Sequence, residues 1–244
     1  MSIVIPTLDE EATIGKTARA ARSAFPDAEV IVVDSFSTDA TVRKAREAGA
    51  RVVKAKRRGK GAAMAAGVKK ASGSTIIFFD ADLKNVFPRM FKILANPVAK
   101  GNCDVAIGTY RSPFAQSFTE LVYRPLIKSC FPEVEKVFPD TPLSGLRALS
   151  KQTALQLKFV PDFGVEAGMN IDLALGGARV ESVSLGRINP VFKGKLGAKV
   201  LKKRARQIAH AIAMKAKERG RKVDGRALKK ALARIDAAIE KSGG

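Results

Sequence analysis

The chain has 244 residues, with 44 Lys and Arg, 23 Asp and Glu and a single His, for a formal net charge of +21. A chain of this length buries well over half of its unfolded surface without disulfide staples. With 46% hydrophobic and 27% charged residues it is neither disordered throughout, nor collagenous, nor a coiled-coil rod. No apolar run approaches the roughly 20 residues of a membrane span and no basic-then-apolar leader stands before the first strand, so a cytoplasmic protein is expected. Cys103 and Cys130 are too few for a disulfide framework and lack metal-ligand spacing, so both are expected to be reduced and structural.

Taken in chain order, Ile3–Pro6 reads as a short buried strand and Glu10–Ala24 as a helix stopped at Phe25-Pro26-Asp27. Glu29–Val33 is a second apolar strand ending at Asp34, and Ser37-Thr38-Asp39 opens a helix through Ala48 that Gly49 closes. Arg51–Lys54 is a third strand, Gly59–Ala71 a helix opened by glycines, and Ser74–Phe79 a fourth strand ending at Asp80. Phe87–Ala95 reads as a helix and Asp104–Gly108 as a fifth strand. Ser112–Phe114 reads as loop, Phe118–Cys130 as a helix that Pro125 bends or interrupts, and Pro139–Gly145 as a turn-rich loop. Lys151–Lys158 and Val165–Leu175 are short helices, and Val180–Leu185 is a last strand. Apolar strands alternating with helices predict an α/β fold, a mostly parallel sheet with helices on both faces. Ligands of such sheets bind at the carboxyl ends of the strands, where Asp34 and Asp80 fall.

Beyond Asn189-Pro190 the texture changes. Residues 191–244 hold 17 Lys and Arg against 4 Asp and Glu, a net of +13, whereas residues 1–190 carry a net of +8. The chain therefore divides into a domain over 1–190 and a basic helical extension over 191–244. Leu196–Glu218 reads as a long basic helix; Asp224 caps a final helix with Leu228, Leu232, Ile235 and Ile239 on one stripe. Such a tail is suited to an anionic surface, and its stripe either inserts into a membrane or packs on the domain or on a second copy. Those options add a peripheral place at the inner membrane face, or a homodimer, to the expected cytoplasmic one.

Four segments carry candidate chemistry. In Phe78-Phe79-Asp80-Ala81-Asp82, two carboxylates just past a buried strand share one hard cation, Mg²⁺ or Mn²⁺; the plainer reading is a solvated loop with Asp80 as a helix cap. In Ile5-Pro6-Thr7-Leu8-Asp9-Glu10-Glu11, Thr7, Asp9 and Glu10 face the carboxyl edge, suited to a base or ribose, unless the acids merely favour a helix dipole. Asp34, beginning Asp34-Ser35-Phe36-Ser37-Thr38-Asp39, can accept from a base N–H, with Asp39 supporting the loop or capping the helix. In Arg57-Arg58-Gly59-Lys60-Gly61 the glycines let backbone N–H groups approach phosphate and Lys60 adds a point charge, though alone this is a solvated basic turn. Together they describe a pocket for a nucleoside diphosphate with its metal. No Walker A loop and no G-x-G-x-x-G stands after the first strand.

The ordered set resembles the GT-A glycosyltransferases, with their P-x-L-N-E-E start, D-S-x-S-x-D-x-T segment and D-x-D; Asp9 stands where Asn is usual. Within them it is similar to the retaining group of glucosyl- and mannosyl-3-phosphoglycerate synthases. Gly59-Lys60-Gly61 resembles that group's G-K-G, and Thr119-Glu120-Leu121-Val122 with Arg124-Pro125-Leu126 its T-E-L-V-x-R-P-L. Pro142-Leu143-Ser144-Gly145 resembles its P-L-S-G, and Phe163-Gly164-Val165-Glu166 its Y-G-V-E; the likeness runs from Ser2 to about Gly197. The resemblance implies that Pro6, Thr7, Leu8, Glu10, Asp34 and Ser35 hold the nucleoside, and Lys60, Asp80 and Ala81 the diphosphate end of a UDP- or GDP-sugar. It implies Asp80 and Asp82 as metal ligands, and Thr119, Ser144, Gly145 and Glu166 around a small, phosphoglycerate-like acceptor, with Asp82, Glu166 and Lys60 at the chemistry. Bottom-up, Glu166 is also readable as a helix N-terminal acid and Thr119 as a capping residue.

Two departures mark the acceptor side. The group's Arg two residues before Thr119 is Ser117 here, which leaves Arg111 as a substitute cation, and its H-R-N segment is Arg187-Ile188-Asn189, which leaves Asn189 or water as the remaining metal ligand. The one His, His210, lies on the basic helix, where a surface or packing role is expected. A metal-dependent transfer of a hexose with retention follows, with the departing phosphate taking the acceptor's proton. The alternatives are a lipid-phosphate (polyprenyl-phosphate type) glycosyltransferase docked through its tail, a sugar-phosphate nucleotidyltransferase and a nucleic-acid-binding protein. Leu8-Asp9-Glu10-Glu11 argues against the nucleotidyltransferase, and two Tyr and no Trp against stacking on nucleic acid.

Overall fold

The computed structural model describes residues 1–111, 118–138, 141–189 and 197–242. Seven strands form one sheet: β1 Ser2–Thr7, β2 Glu29–Asp34, β3 Arg51–Lys54, β4 Thr75–Phe78, β5 Val105–Arg111, β6 Arg147–Ser150 and β7 Val180–Arg187. Their order is β3-β2-β1-β4-β6-β5-β7, and every pairing is parallel except those of β6, which runs antiparallel to β4 and β5. The mostly parallel sheet agrees with the sequence. β6 does not appear in the sequence pattern, because Arg147 interrupts a run only four residues long.

Side chains alternate across the sheet with period two. Ile3, Ile5, Val30, Val32 and Ile77 point to a core covered by α1 Ile14–Ala24, α2 Thr41–Glu47 and α4 Pro88–Ala99. Val4, Ile31, Val33, Ile76 and Phe78 point to the opposite core. That face is covered by α3 Lys60–Lys70, α5 Arg124–Cys130, α8 Val165–Leu175, α9 Ala198–Glu218 and α10 Gly225–Ser242. Two short helices, α6 Pro132–Glu135 and α7 Lys151–Gln156, complete the set.

Several boundaries differ from the pattern for local reasons. β1 continues through Pro6, because its ladder with β4 ends at Val4 and no donor is required of the proline on that side. α1 begins at Ile14 rather than Glu10, since the amides of Thr13 and Ile14 both donate to the Glu10 carbonyl. Asp39 supports the loop before α2 rather than standing at the cap, which is Ala40: it accepts from the Thr41 amide at 2.9 Å and from the Glu11 amide at 3.1 Å. α4 runs through Pro97, past the expected end at Ala95. Ahead of α5, Thr119–Tyr123 is a π-helical turn in which the Arg124 amide donates to the Thr119 carbonyl; the widened turn carries the chain into Pro125 without a kink, as an inserted π turn does. Ser112–Phe114, Gln116, Ser117, Pro139, Asp140, Pro190 and Leu196 lie outside the described residues. Both cysteines are free and buried.

The apolar stripe of the last helix is not offered to a membrane. Ile235 and Ile239 are buried, and Leu228 and Leu232 pack against the same core. Some of the extension's basic residues are paired within the chain: Lys202 with Glu240 and Arg206 with Asp236, both inside the extension, and Arg221 with Glu133 of the domain. Deepest is Lys215, fully buried, whose Nζ lies 2.6 Å from Asp172 of α8 and donates to the Lys158 carbonyl at 3.0 Å; Arg219 takes the other Asp172 oxygen at 2.6 Å. Among the described residues no helix is long and apolar enough to cross a membrane. Replacing Asp172 by Ala strands a buried ammonium, so the variant is expected to lose about 3–5 kcal/mol in urea unfolding. A loss under about 1 kcal/mol would mean that the pair does not hold α9 to α8.

Candidate active site

The strand order reverses between β1 and β4, which opens a crevice beyond their carboxyl ends. β1, β2 and β4 deliver Thr7, Asp34 and the Asp80–Asp82 loop to this edge, and β3 leads to Lys60 at the first turn of α3. Because β6 is antiparallel, with Arg147 opposite Phe78, it is the segment before β6 that reaches the same edge. Ser144 and Gly145 therefore arrive beside Asp80.

The centre is an ion cluster. Lys60 Nζ lies 2.7 Å from Asp80 Oδ1 and 2.6 Å from Glu166 Oε1, the latter carboxylate buried at the start of α8. Burial opposes the Lys60 charge, but Asp80 and Glu166 together outweigh it and hold the ammonium above the ordinary lysine range. A Cβ on Gly145 would meet the Asp80 carboxylate and Lys60 Nζ, so a larger residue there must push the pair out of its present position. Asp82 has no ion-pair partner among the described residues; burial first, and Asp80 second, push its carboxyl above the usual aspartate range. Burial likewise raises the Tyr110 hydroxyl, with the Asp80 charge adding to the effect.

Three carboxylates thus gather around one ammonium, with the Arg204 and Arg147 guanidiniums also within their field, and Asp82 is the one of the three without an ion-pair partner among the described residues. The described residues contain no cluster of three His, Cys, Asp or Glu suited to a metal. Asp80 and Asp82 still fit a hard divalent cation, because such ions take a few carboxylate oxygens and complete their shell with phosphate oxygens and water. Asn189 is fixed near this loop: its amide donates to Asn85 Oδ1 at 2.7 Å and its carbonyl accepts from the Lys84 amide at 2.8 Å.

The nucleoside edge is tied together by short polar contacts. Asp34 is buried and accepts from the Ser37 amide at 3.1 Å; Ser35 Oγ accepts from the Gly59 amide at 3.0 Å, and the Ser35 amide donates to the Thr7 carbonyl at 2.8 Å. Asp9 has φ of 55° and accepts from the Thr38 amide at 2.7 Å. An Asp where Asn is usual suits that backbone, because both tolerate the left-handed region. Glu10 is held through its amide, which donates to Thr41 Oγ1 at 2.6 Å.

The glycines of the Lys60 loop do something other than expected. A Cβ on Gly61 would lie 1.7 Å from the Val160 carbonyl, and the Ala62 amide donates to the Pro161 carbonyl at 2.9 Å. With the Gly59 amide held by Ser35, these glycines dock the loop on residues 160–161, and two of its N–H groups are already engaged.

On the acceptor side, Arg147 is fully buried and donates to the carbonyls of Ser144 and Pro142 and to Asn170 Oδ1, each at 2.7 Å. Asn170 in turn donates to the Tyr123 hydroxyl at 3.0 Å. This network fixes the loop that carries Gly145. Ser144 Oγ accepts from the Leu146 amide within the same turn, and Thr119 is buried in the π turn. Arg111 ends β5 opposite Arg187, next to the undescribed 112–117. His210 is exposed on α9. Tyr110, Arg147, Asn170 and Arg204 are absent from the sequence reading; an arginine inside Leu146-Arg147-Ala148-Leu149 is the one sequence signal that marks such a buried network.

A family model described as "Glycosyl transferase family 2" matches residues 2–140. The chain belongs to that family. Among relatives of this family-2 chain, glucosyl-3-phosphoglycerate synthase of Mycobacterium tuberculosis is 36% identical over 213 residues, 76% of this chain and 65% of that protein. The synthase of Petrotoga mobilis is 28% identical over 198 residues, 71% of this chain and 60% of the relative, and a dolichol-phosphate mannosyltransferase of Pyrococcus furiosus 26% over 179 residues, 66% of this chain and 49% of the relative. The chain thus spans about two-thirds or less of the length of these relatives. The crystal structure of the M. tuberculosis synthase with Mn²⁺, UDP-glucose and phosphoglyceric acid superposes with a TM-score of 0.77 at 32% identity, covering 92% of this chain and 81% of that one. The fold is therefore the GT-A arrangement expected of the family.

Gly145→Ala places a methyl group on the Asp80–Lys60 pair. Turnover with a nucleotide-sugar donor is expected to fall about 100-fold, with an unchanged circular dichroism spectrum. Full turnover in the folded variant would show that the pair is not part of the site.

Proposed function

We propose that the chain is a metal-dependent, retaining glycosyltransferase that moves a hexose from a nucleoside-diphosphate sugar, UDP-glucose by the names of its relatives, to phosphoglycerate or a close analogue. The observation that carries this reading is the cluster Lys60–Asp80–Glu166 with Asp82 beside it, at the carboxyl edge of the sheet. Functionally, the donor machinery lies in 1–190, and 191–244 is an extension that covers the acceptor side.

In this reading Pro6, Thr7, Leu8, Glu10, Asp34 and Ser35 line the nucleoside, Ala81 continues the wall toward the diphosphate, and Asp80 and Asp82, with Asn189 nearby, hold Mg²⁺ or Mn²⁺. The cation, when bound, neutralises charge on the leaving diphosphate. Lys60 stays protonated and offers its ammonium to the same oxygens as the anomeric C–O bond breaks. The acceptor hydroxyl oxygen forms the new bond to the anomeric carbon from the face the diphosphate leaves, and its proton passes to the departing phosphate oxygen. Glu166, 2.6 Å from Lys60, anchors that ammonium and is placed to meet the sugar hydroxyls. Thr119, Ser144, Gly145 and Arg111 flank the acceptor. The reading requires no membrane surface and no second copy.

Purified protein with UDP-glucose, Mn²⁺ and 3-phosphoglycerate is expected to release UDP and form a glucosylated phosphoglycerate with the donor's anomeric configuration. Asp82→Asn should lower kcat by about 10²–10³-fold, and chelation of the metal should abolish turnover. Full turnover in the chelated enzyme, or inverted product, would contradict the reading.

A further inference from the structure

The basic extension enters the site through one side chain. Gly164 lets α9 approach closely: a Cβ there would lie 2.4 Å from the Gln207 carbonyl and 2.6 Å from Ala211 Cβ. One turn before Gln207, the Arg204 guanidinium sits over the Phe163 ring, with Cζ 4.5 Å from its centroid. Phe163 leans on Phe118, with ring centroids 6.2 Å apart. Arg204 is thus set against the two segments that lead to Thr119 and Glu166, the acceptor side of the crevice.

Its guanidinium is partly desolvated and stacked, with no side-chain acceptor committed to it among the described residues. Burial lowers the Arg204 pKa, while Asp82, Asp80, Glu10 and Glu166 act in the other direction, so the group is desolvated within the field of the site's carboxylates. Among the described residues it makes no hydrogen bond and no ion pair. Stacking fixes the plane of a guanidinium and leaves its N–H edge open, and a desolvated donor without an acceptor is costly. Several other cations already have partners inside the protein. Arg147 is bound to two carbonyls and Asn170, Lys60 to Asp80 and Glu166, Lys202 to Glu240, and Arg206 to Asp236.

We propose that Arg204 binds the anionic group of the acceptor, a phosphate or carboxylate, through its open guanidinium edge, supplying from α9 the positive charge that the acceptor loop lacks at Ser117. The proposal rests on the reading of the chain as a transferase to a phosphoglycerate-like acceptor. It makes the extension a specificity element: a planar fork pairs with two oxygens of one anion, which a lysine cannot do.

The test uses the full chain with Mn²⁺, UDP-glucose and 3-phosphoglycerate. Arg204→Met keeps the packing on Phe163 and removes the charge; Arg204→Lys keeps the charge and removes the fork; Lys203→Ala removes an exposed charge from the same helix. Arg204→Met is expected to raise KM for 3-phosphoglycerate about 10- to 100-fold, with Arg204→Lys between it and the parent. The KM for UDP-glucose should stay within about threefold in both, and Lys203→Ala should shift neither KM by more than about threefold, as for an exposed charge. Calorimetric titration of 3-phosphoglycerate into the same proteins should show the same loss for Arg204→Met. An unchanged acceptor KM in active Arg204→Met overturns the assignment and leaves the proposed function standing. A change confined to UDP-glucose overturns it as well, placing Arg204 on the donor. A parent protein that binds UDP-glucose with Mn²⁺ yet neither binds nor glucosylates 3-phosphoglycerate overturns the acceptor reading itself, and does so before any variant is compared.

Discussion

The site depends on a charge imbalance. Asp80, Asp82 and Glu166 gather around Lys60 in a crevice shielded from bulk water, and only Asp80 and Glu166 are paired with it. Two like charges about 4 Å apart repel by about 4 kcal/mol at an effective dielectric of 20, so Asp82, beside Asp80 and unpaired among the described residues, would oppose an anionic donor. Under the proposed function, a divalent cation held by Asp80 and Asp82 would offset that repulsion toward the diphosphate. The fold's work is to hold these groups in place against their repulsion: β4 brings Asp80 and Asp82, α8 brings Glu166, α3 brings Lys60, and Gly145 leaves room for the pair.

The side of the crevice built by β1, β2 and β4, proposed for the donor, is legible in the sequence because it is written in local signals. Continuous apolar runs give β1, β2 and β4, and the polar residues that follow each run fall on one edge by the geometry of a parallel sheet. The acceptor half is not local. β6 is four residues with an arginine at its start, and its antiparallel direction, which brings Gly145 to Asp80, follows from pairing with β4 and β5 rather than from any pattern of its own. The glycines around Lys60 read as phosphate-binding backbone, but their spacing answers to the carbonyls of Val160 and Pro161, a hundred residues away. Arg204 is hidden among sixteen other basic residues of the extension, and only the packing of α9 on Gly164 distinguishes it.

In the extension, the apolar stripe and part of the basic charge serve the fold. Its excess of basic residues suggests an anionic surface, yet Lys215, Arg219, Arg206, Lys202 and Arg221 are paired with carboxylates inside the chain. The apolar stripe that could insert into lipid instead closes the core over α5 and α9. A helix pair docked by a buried ion pair is a firm mount for a side chain that must meet a small anion.

The measurement that tests the account most directly is calorimetric titration of UDP into the protein with and without Mn²⁺, and of Mn²⁺ with and without UDP. If the carboxylate excess governs the crevice, each ligand should tighten the other by the same factor, at least about tenfold, as linkage between two sites requires. UDP binding of equal strength with and without the cation would show that the carboxylates do not control entry, and the account of the site would fail.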